Sequence, residues 1–209
     1  AAVVAGRSAR PRRGGISRVW LGASLDGIGE GHDRVRARPG AFAALEQTLG
    51  QARAEFPEAA WSLNFTITPL NFRSLGEAYR YARELGIEFS AQFAIPWPGA
   101  RRLEWSVDDR IALDGIGREM IRELVAEGIR EKGEEALKAD RDFLARLYYW
   151  QGLFDYGRRP RRLFGECKAG RECAMFSPSG DLYLCPRYKH EPLGNACRTP
   201  FDRLWTSAA

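Results

Sequence analysis

No stretch of the chain approaches the roughly 20 consecutive apolar residues that a membrane-spanning helix needs. Residues 1–15 also lack the apolar core of a secretory signal. Membrane insertion is therefore not expected, and the cytoplasm is the expected compartment. The same N-terminal stretch holds no acidic residue; it is a mixture dominated by glycine, alanine and arginine, without periodicity. The chain does not begin with Met, and a fragment or a processed chain is the expectation. No aromatic residue falls within the basic cluster Arg7 to Arg18 and only Phe164 within Arg158 to Arg171, so the stacking pattern of a single-stranded nucleic-acid surface is missing. With 32 Lys and Arg against 27 Asp and Glu, these clusters read first as solvated faces, and nucleic acid is not an expected partner. Cysteine does not occur before Cys167; all four are at Cys167, Cys173, Cys185 and Cys197.

What is present is a sequence that folds. Its 209 residues, 44% hydrophobic with six Trp, seven Tyr and eleven Phe, suffice for one substantial core or one domain with a small appendage. Val19, Leu21, Ala23 and Leu25 alternate with Trp20, Gly22, Ser24 and Asp26, which is a strand entering a glycine-rich loop. Phe42, Leu45 and Leu49 then follow helical spacing up to Pro57. The unit recurs: Trp61, Leu63, Phe65 and Ile67 alternate with Ser62, Asn64, Thr66 and Thr68, and Leu75 to Leu85 mark a helix closed by Gly86. Ile87, Phe89, Ala91 and Phe93 form a third alternating run before a turn at Pro96 to Gly99.

Strand, helix, strand, helix, strand implies parallel strands joined by right-handed crossovers. A sheet covered on both faces reads as near-continuous apolar runs; here one face carries Ser24, Asp26, Asn64, Thr66, Ser90 and Gln92. A sheet with helices outside and a polar concave face inside fits, as does an ordinary half-exposed sheet. Beyond it, Val107, Ile111, Ile116, Met120, Leu124 and Val125 suggest one helical stripe, and Glu134 to Trp150 a second helix. Gly157 to Pro160 reads as a linker or exposed turn.

The cysteines allow a metal site, disulfides or coincidence. Reducing compartments disfavour stable disulfides. Soft thiolates suit zinc or an iron-sulfur cluster, although the close C-x2-C pairs of zinc ribbons are missing. Ala174 to Ser177 and Asp181 to Leu184 read as the arms of a hairpin with Pro-Ser-Gly-Asp at its tip.

Cys167 to Cys185 has the form C-x12-G-x4-C with the glycine at Gly180, and LGNACRTPFDRLW follows from Leu193 to Trp205. This resembles the SPASM or twitch auxiliary-cluster extension of radical S-adenosylmethionine enzymes. Independently, VWLGASLDGIGEGHDRVRARPGAFAALEQTL, WSLNFTITPLNFRSLGEAYRYARELGI and FSAQFAIPWPG resemble that family's fourth, fifth and sixth strand units. The resemblance implies an α/β chain: residues 1–15 an irregular basic segment, 16–106 the second half of a partial (β/α) barrel of parallel strands, 107–160 a helical connector, and 161–209 a small cysteine-rich β-hairpin domain. It implies that Cys167, Cys173, Cys185 and Cys197 ligate an auxiliary 4Fe-4S cluster. It also implies that Ser24, Asp26, Arg36, Asn64 and Thr66 face the cofactor or a peptide, protein or small-molecule substrate. His32 beside Asp33 suggests an acid and base pair, but the family pattern favours a structural loop feature; His190 reads as surface.

The departure from the family is specific. The C-x3-C-x2-C motif that holds the radical-generating 4Fe-4S cluster is missing, so the isolated chain is not expected to cleave S-adenosylmethionine. That cofactor and a second 4Fe-4S cluster are expected only if an N-terminal half is supplied. The expectation is therefore the C-terminal portion of an oxidoreductase or maturase. The alternative is a non-catalytic peptide- or protein-binding module that keeps a structural zinc or iron-sulfur site. Either way the strand at Val19 to Leu25 leaves a bare edge, which a preceding segment or a second copy would cover.

Overall fold

A computed structural model describes residues 19–95, 103–161, 165–185 and 191–206. The chain forms two compact units, residues 1–161 and 162–209. The N-terminal basic segment, the turn at Pro96 to Gly99 and His190 lie outside the described residues.

The first unit is mixed α/β. Strands β1 (Trp20–Ser24), β2 (Ala60–Ile67) and β3 (Glu88–Phe93) form one parallel sheet in the order β1-β2-β3. Helices α1 (Glu30–Val35) and α2 (Ala41–Glu55) connect the first pair, and a 3-10 turn leading into α3 (Leu75–Glu84) connects the second. Alternation decides which side chains are inside. Leu21, Ala23, Leu63, Phe65, Ile67 and Ala91 are buried in one core with Leu45 and Leu49 of α2 and with Leu75, Ala78 and Ala82 of α3. Each fully buried Leu, Ile or Phe there contributes about 1.5–3 kcal/mol relative to exposure. The opposite face carries Trp20, Ser24, Asn64 and Gln92, all exposed.

Helices α4 (Val107–Lys132), α5 (Glu134–Ala139) and α6 (Arg141–Arg158) complete the unit. They correct three expectations. The buried stripe of α4 is Leu113, Gly117, Met120, Leu124 and Gly128, whereas Val107 and Ile111 are 74% and 66% exposed. Two glycines hid that stripe. A Cβ on Gly117 would stand 2.4 Å from the Phe154 ring, and one on Gly128 would stand 2.8 Å from Leu137; larger side chains of α6 and α5 fill the space the glycines leave.

The second correction is a break where one helix over Glu134 to Trp150 was expected. Asp140 ends α5 and starts α6, its Oδ1 accepting the N–H groups of Asp142 and Phe143, both at 3.0 Å. An aspartate N-cap favours a new helix over continuation of the old one. Gly157 is likewise no linker: it lies in the last turn of α6 and is buried. The hydroxyl of Tyr149 in α6 accepts the Ala91 N–H at 3.0 Å and donates to the Ala91 carbonyl, capping the outer edge of β3. Among the described residues, no strand pairs with the outer edge of β1.

In the second unit β4 (Met175–Phe176), β5 (Asp181–Tyr183) and β6 (Gly194–Asn195) form an antiparallel sheet in the order β4-β5-β6, followed by α7 (Phe201–Thr206).

Gly117→Ala tests the glycine reading. Alanine favours an isolated helix by about 1 kcal/mol, yet here overpacking against Phe154 reverses the sign. Denaturant unfolding is expected to show a loss of about 1–3 kcal/mol.

Candidate functional site

The polar face and the loop at its C-terminal end hold the residues picked out in the first unit. Register places Ser24 beside Asn64 and Asn64 beside Ser90, and the Ser90 hydroxyl donates to Asn64 Oδ1 at 2.7 Å. Ser24 and Asn64 are exposed and Thr66 is half-buried, so this row presents hydroxyl and amide groups to solvent. Gly22 keeps the row open, since a Cβ there would come within 3.1 Å of the Asn64 amide nitrogen.

Asp26 behaves differently. It is 4% exposed, and all four of its polar groups are bound within the chain. Its Oδ1 accepts the Thr66 N–H at 2.8 Å and its Oδ2 pairs with Arg36 at 2.6 Å. Its N–H donates to His32 Nδ1 at 3.1 Å, and its carbonyl accepts from Asn71 Nδ2 at 3.2 Å. Asn71 also bonds the Thr66 carbonyl at 3.0 Å and, through Oδ1, accepts the Thr68 N–H at 2.8 Å. The carboxylate therefore ties the loop after β1 to the end of β2, and Arg36 answers its charge.

His32 and Asp33 do not form an acid and base pair. His32 is buried in α1, its Nδ1 occupied as an acceptor, with the Phe42 ring edge-on at 6.1 Å. Burial, then the Arg36 cation, hold its pKa below the usual 6.5. Asp33 points instead to the start of α2, where Oδ2 and Oδ1 accept the N–H groups of Gly40 and Phe42 at 2.6 and 2.8 Å. The Phe42 bond is the largest influence holding the Asp33 carboxyl below its ordinary value. Gly40 is the N-cap with φ 75° and no side chain to cap with, so a residue seven positions earlier supplies the cap. Asn71 was not picked out from sequence; its place in the turn from Thr68 through Pro69 was the available signal.

In the second unit, Cys167, Cys173 and Cys197 are exposed and Cys185 half-buried, and none is in a disulfide. Cys173 closes a tight turn, its carbonyl accepting the Gly170 N–H at 2.9 Å. Asn195 ties the hairpin tip to Cys197: its Nδ2 donates to Asp181 Oδ1 and to the Ser179 carbonyl, each at 2.8 Å, while its Oδ1 accepts the Cys197 N–H at 2.9 Å. That Asn195 bond is the leading influence lowering the Asp181 pKa. Gly180, at φ 88°, leaves the space that Cys197 occupies, since a Cβ would stand 2.7 Å from its sulfur. Four thiols are the right donor chemistry for a soft metal. Among the described residues no three His, Cys, Asp or Glu side chains stand together closely enough to hold a metal ion.

The first unit thus defines an α/β class of protein with a one-sided parallel sheet, polar on its uncovered face. No family model matches the chain, and neither a curated protein nor a solved structure does. No helix among the described residues is long and apolar enough to cross a membrane.

Two outcomes are expected around Asp26. Asp26→Ala strands the Thr66 N–H and the Arg36 cation and is expected to cost about 3 kcal/mol in denaturant unfolding. Protonating His32 removes the acceptor for the Asp26 N–H. Because the folded state holds this histidine below 6.5, the unfolded chain binds the extra proton, and stability present above that value is lost as pH falls beneath it. The thermal midpoint is expected to drop between about pH 7.5 and about pH 5.5, and His32→Gln, which keeps an acceptor, to flatten that drop.

Proposed function

We propose that this chain is the C-terminal portion of a radical S-adenosylmethionine oxidoreductase or maturase of the SPASM or twitch type, acting on a peptide, protein or small-molecule substrate. The observation that carries the reading is the one-sided parallel sheet, with Ser24, Asn64 and Thr66 along its uncovered polar face. That is the arrangement a half-barrel requires if its concave side lines a ligand cavity, and the separate unit bearing all four cysteines follows it in the family's order.

In this reading Ser24, Asn64 and Thr66 contact cofactor or substrate. Asp26 and Arg36 shape the loop beside them, Arg36 keeping a side chain that is 40% exposed for a ligand carboxylate. Cys167, Cys173, Cys185 and Cys197 would hold the auxiliary 4Fe-4S cluster, which supplies substrate binding or electron acceptance when bound. Asn195 and Gly180 would fix the Cys197 end of that set. S-adenosylmethionine and its own 4Fe-4S cluster would come with an N-terminal half, which would also cover the outer edge of β1; a second copy is the other candidate for that edge. The cytoplasm, with its reduced thiols, is the proposed compartment.

A second reading is a non-catalytic peptide- or protein-binding module with a structural zinc or iron-sulfur site. The mutual pairing of Asp26 with Arg36 favours it, because that carboxylate is spent on the fold. A thiolate-bound metal would then stabilise folding of the second unit outright.

Metal analysis of protein purified without oxygen tests both readings. The first reading expects about four irons and four sulfides per chain, both reduced in Cys185→Ser. About one zinc per chain favours the structural reading, and no metal at all removes the basis for both.

A further inference from the structure

We propose that the C-terminal end of β3 carries a binding pocket for an aromatic carboxylate, separate from the polar face. The pocket has a volume of about 440 Å³, within the range of small-molecule sites, and it opens at the carboxyl end of a parallel strand, where α/β sheets commonly bind ligands. Three aromatic rings stand among its walls. Phe93 ends β3, with the Trp105 ring edge-on at 5.8 Å and the Tyr156 ring of α6 tilted at 5.4 Å.

The polar group is Arg110, in the first turns of α4. One nitrogen donates to the Gly157 carbonyl at 2.6 Å, and the guanidinium stands 6.0 Å from the Trp105 centroid. Nearby arginines are answered by carboxylates, Arg73 by Asp109 and both Arg118 and Arg158 by Asp114. Among the described residues Arg110 has no such partner, and it is only half-exposed. A guanidinium held by one nitrogen against an aromatic wall has donors left for a carboxylate, the anion its planar fork matches. Gly157 makes the geometry possible: a Cβ there would come within 2.9 Å of the Phe93 ring. Stacking walls beside an anion-binding fork define the ligand as a flat ring joined to a carboxylate. Glu104, exposed at the rim, favours a ligand that also carries an ammonium group.

That chemistry has two sources, a free aromatic amino acid and the C-terminal aromatic residue of a peptide. The test is an NMR titration of the folded chain, following the Trp105 indole N–H, assigned with Trp105→Phe. The ligands are L-phenylalanine, N-acetyl-L-phenylalanine and N-acetyl-L-phenylalaninamide. Saturable shifts are expected with the two carboxylates, with binding weakened about tenfold or more by the carboxamide and by Arg110→Gln. Tighter binding of L-phenylalanine identifies the free amino acid, and tighter binding of the acetylated form the peptide terminus. The carboxamide comparison uses the native chain, so the test survives if Arg110→Gln fails to fold. Equal affinity for acid and carboxamide, or no saturable shift at about 10 mM ligand, overturns the proposal.

Discussion

The first unit depends on one buried carboxylate. Asp26 lies where β1 gives way to a glycine-rich loop, and its side chain reaches across to the Thr66 N–H while holding Arg36 in an ion pair. Its own N–H and carbonyl are bound by His32 and Asn71. A buried carboxylate costs several kcal/mol in lost hydration unless charge and hydrogen bonds answer it; here both oxygens are answered. The consequence is positional. The end of β1 cannot slide or splay relative to the end of β2, and so Ser24, Asn64 and Thr66 keep a fixed spacing on the uncovered face.

The strands were legible in the sequence because alternation is a local signal, and side-chain period two leaves little freedom in which face is buried. Leu63, Phe65 and Ile67 needed no tertiary information to be placed inside. The α4 stripe was not legible for the opposite reason. Gly117 and Gly128 are core positions only because Phe154 and Leu137, on the two later helices α6 and α5, fill the space above them. A hydrophobicity pattern instead favoured Val107 and Ile111, which are exposed.

The site shows the same division. That Ser24 and Asn64 share a face followed from periodicity. The role of Asp26 did not, because an aspartate at the end of a strand has the same sequence appearance whether it waits for a ligand or is consumed by a backbone amide forty residues away. His32 and Asp33, adjacent in sequence, serve different elements: one buttresses the Asp26 loop, and the other caps α2. In the second unit, Asn195 bonds Asp181, the Ser179 carbonyl and the Cys197 N–H. The asparagine of the Gly194-Asn195 pair thereby acquires a physical role independent of any bound metal.

The Asp26 carboxylate locks the loop after β1 to β2. Hydrogen exchange of the Thr66 amide tests it most directly, because that N–H donates to the carboxylate. Protection matching global unfolding is expected in the native chain, and exchange through a lower-energy local opening in Asp26→Ala, with the Leu63 and Phe65 amides still exchanging only through global unfolding. A Thr66 amide that exchanges through a local opening in the native chain, or one equally protected in both proteins relative to their global stabilities, would contradict it.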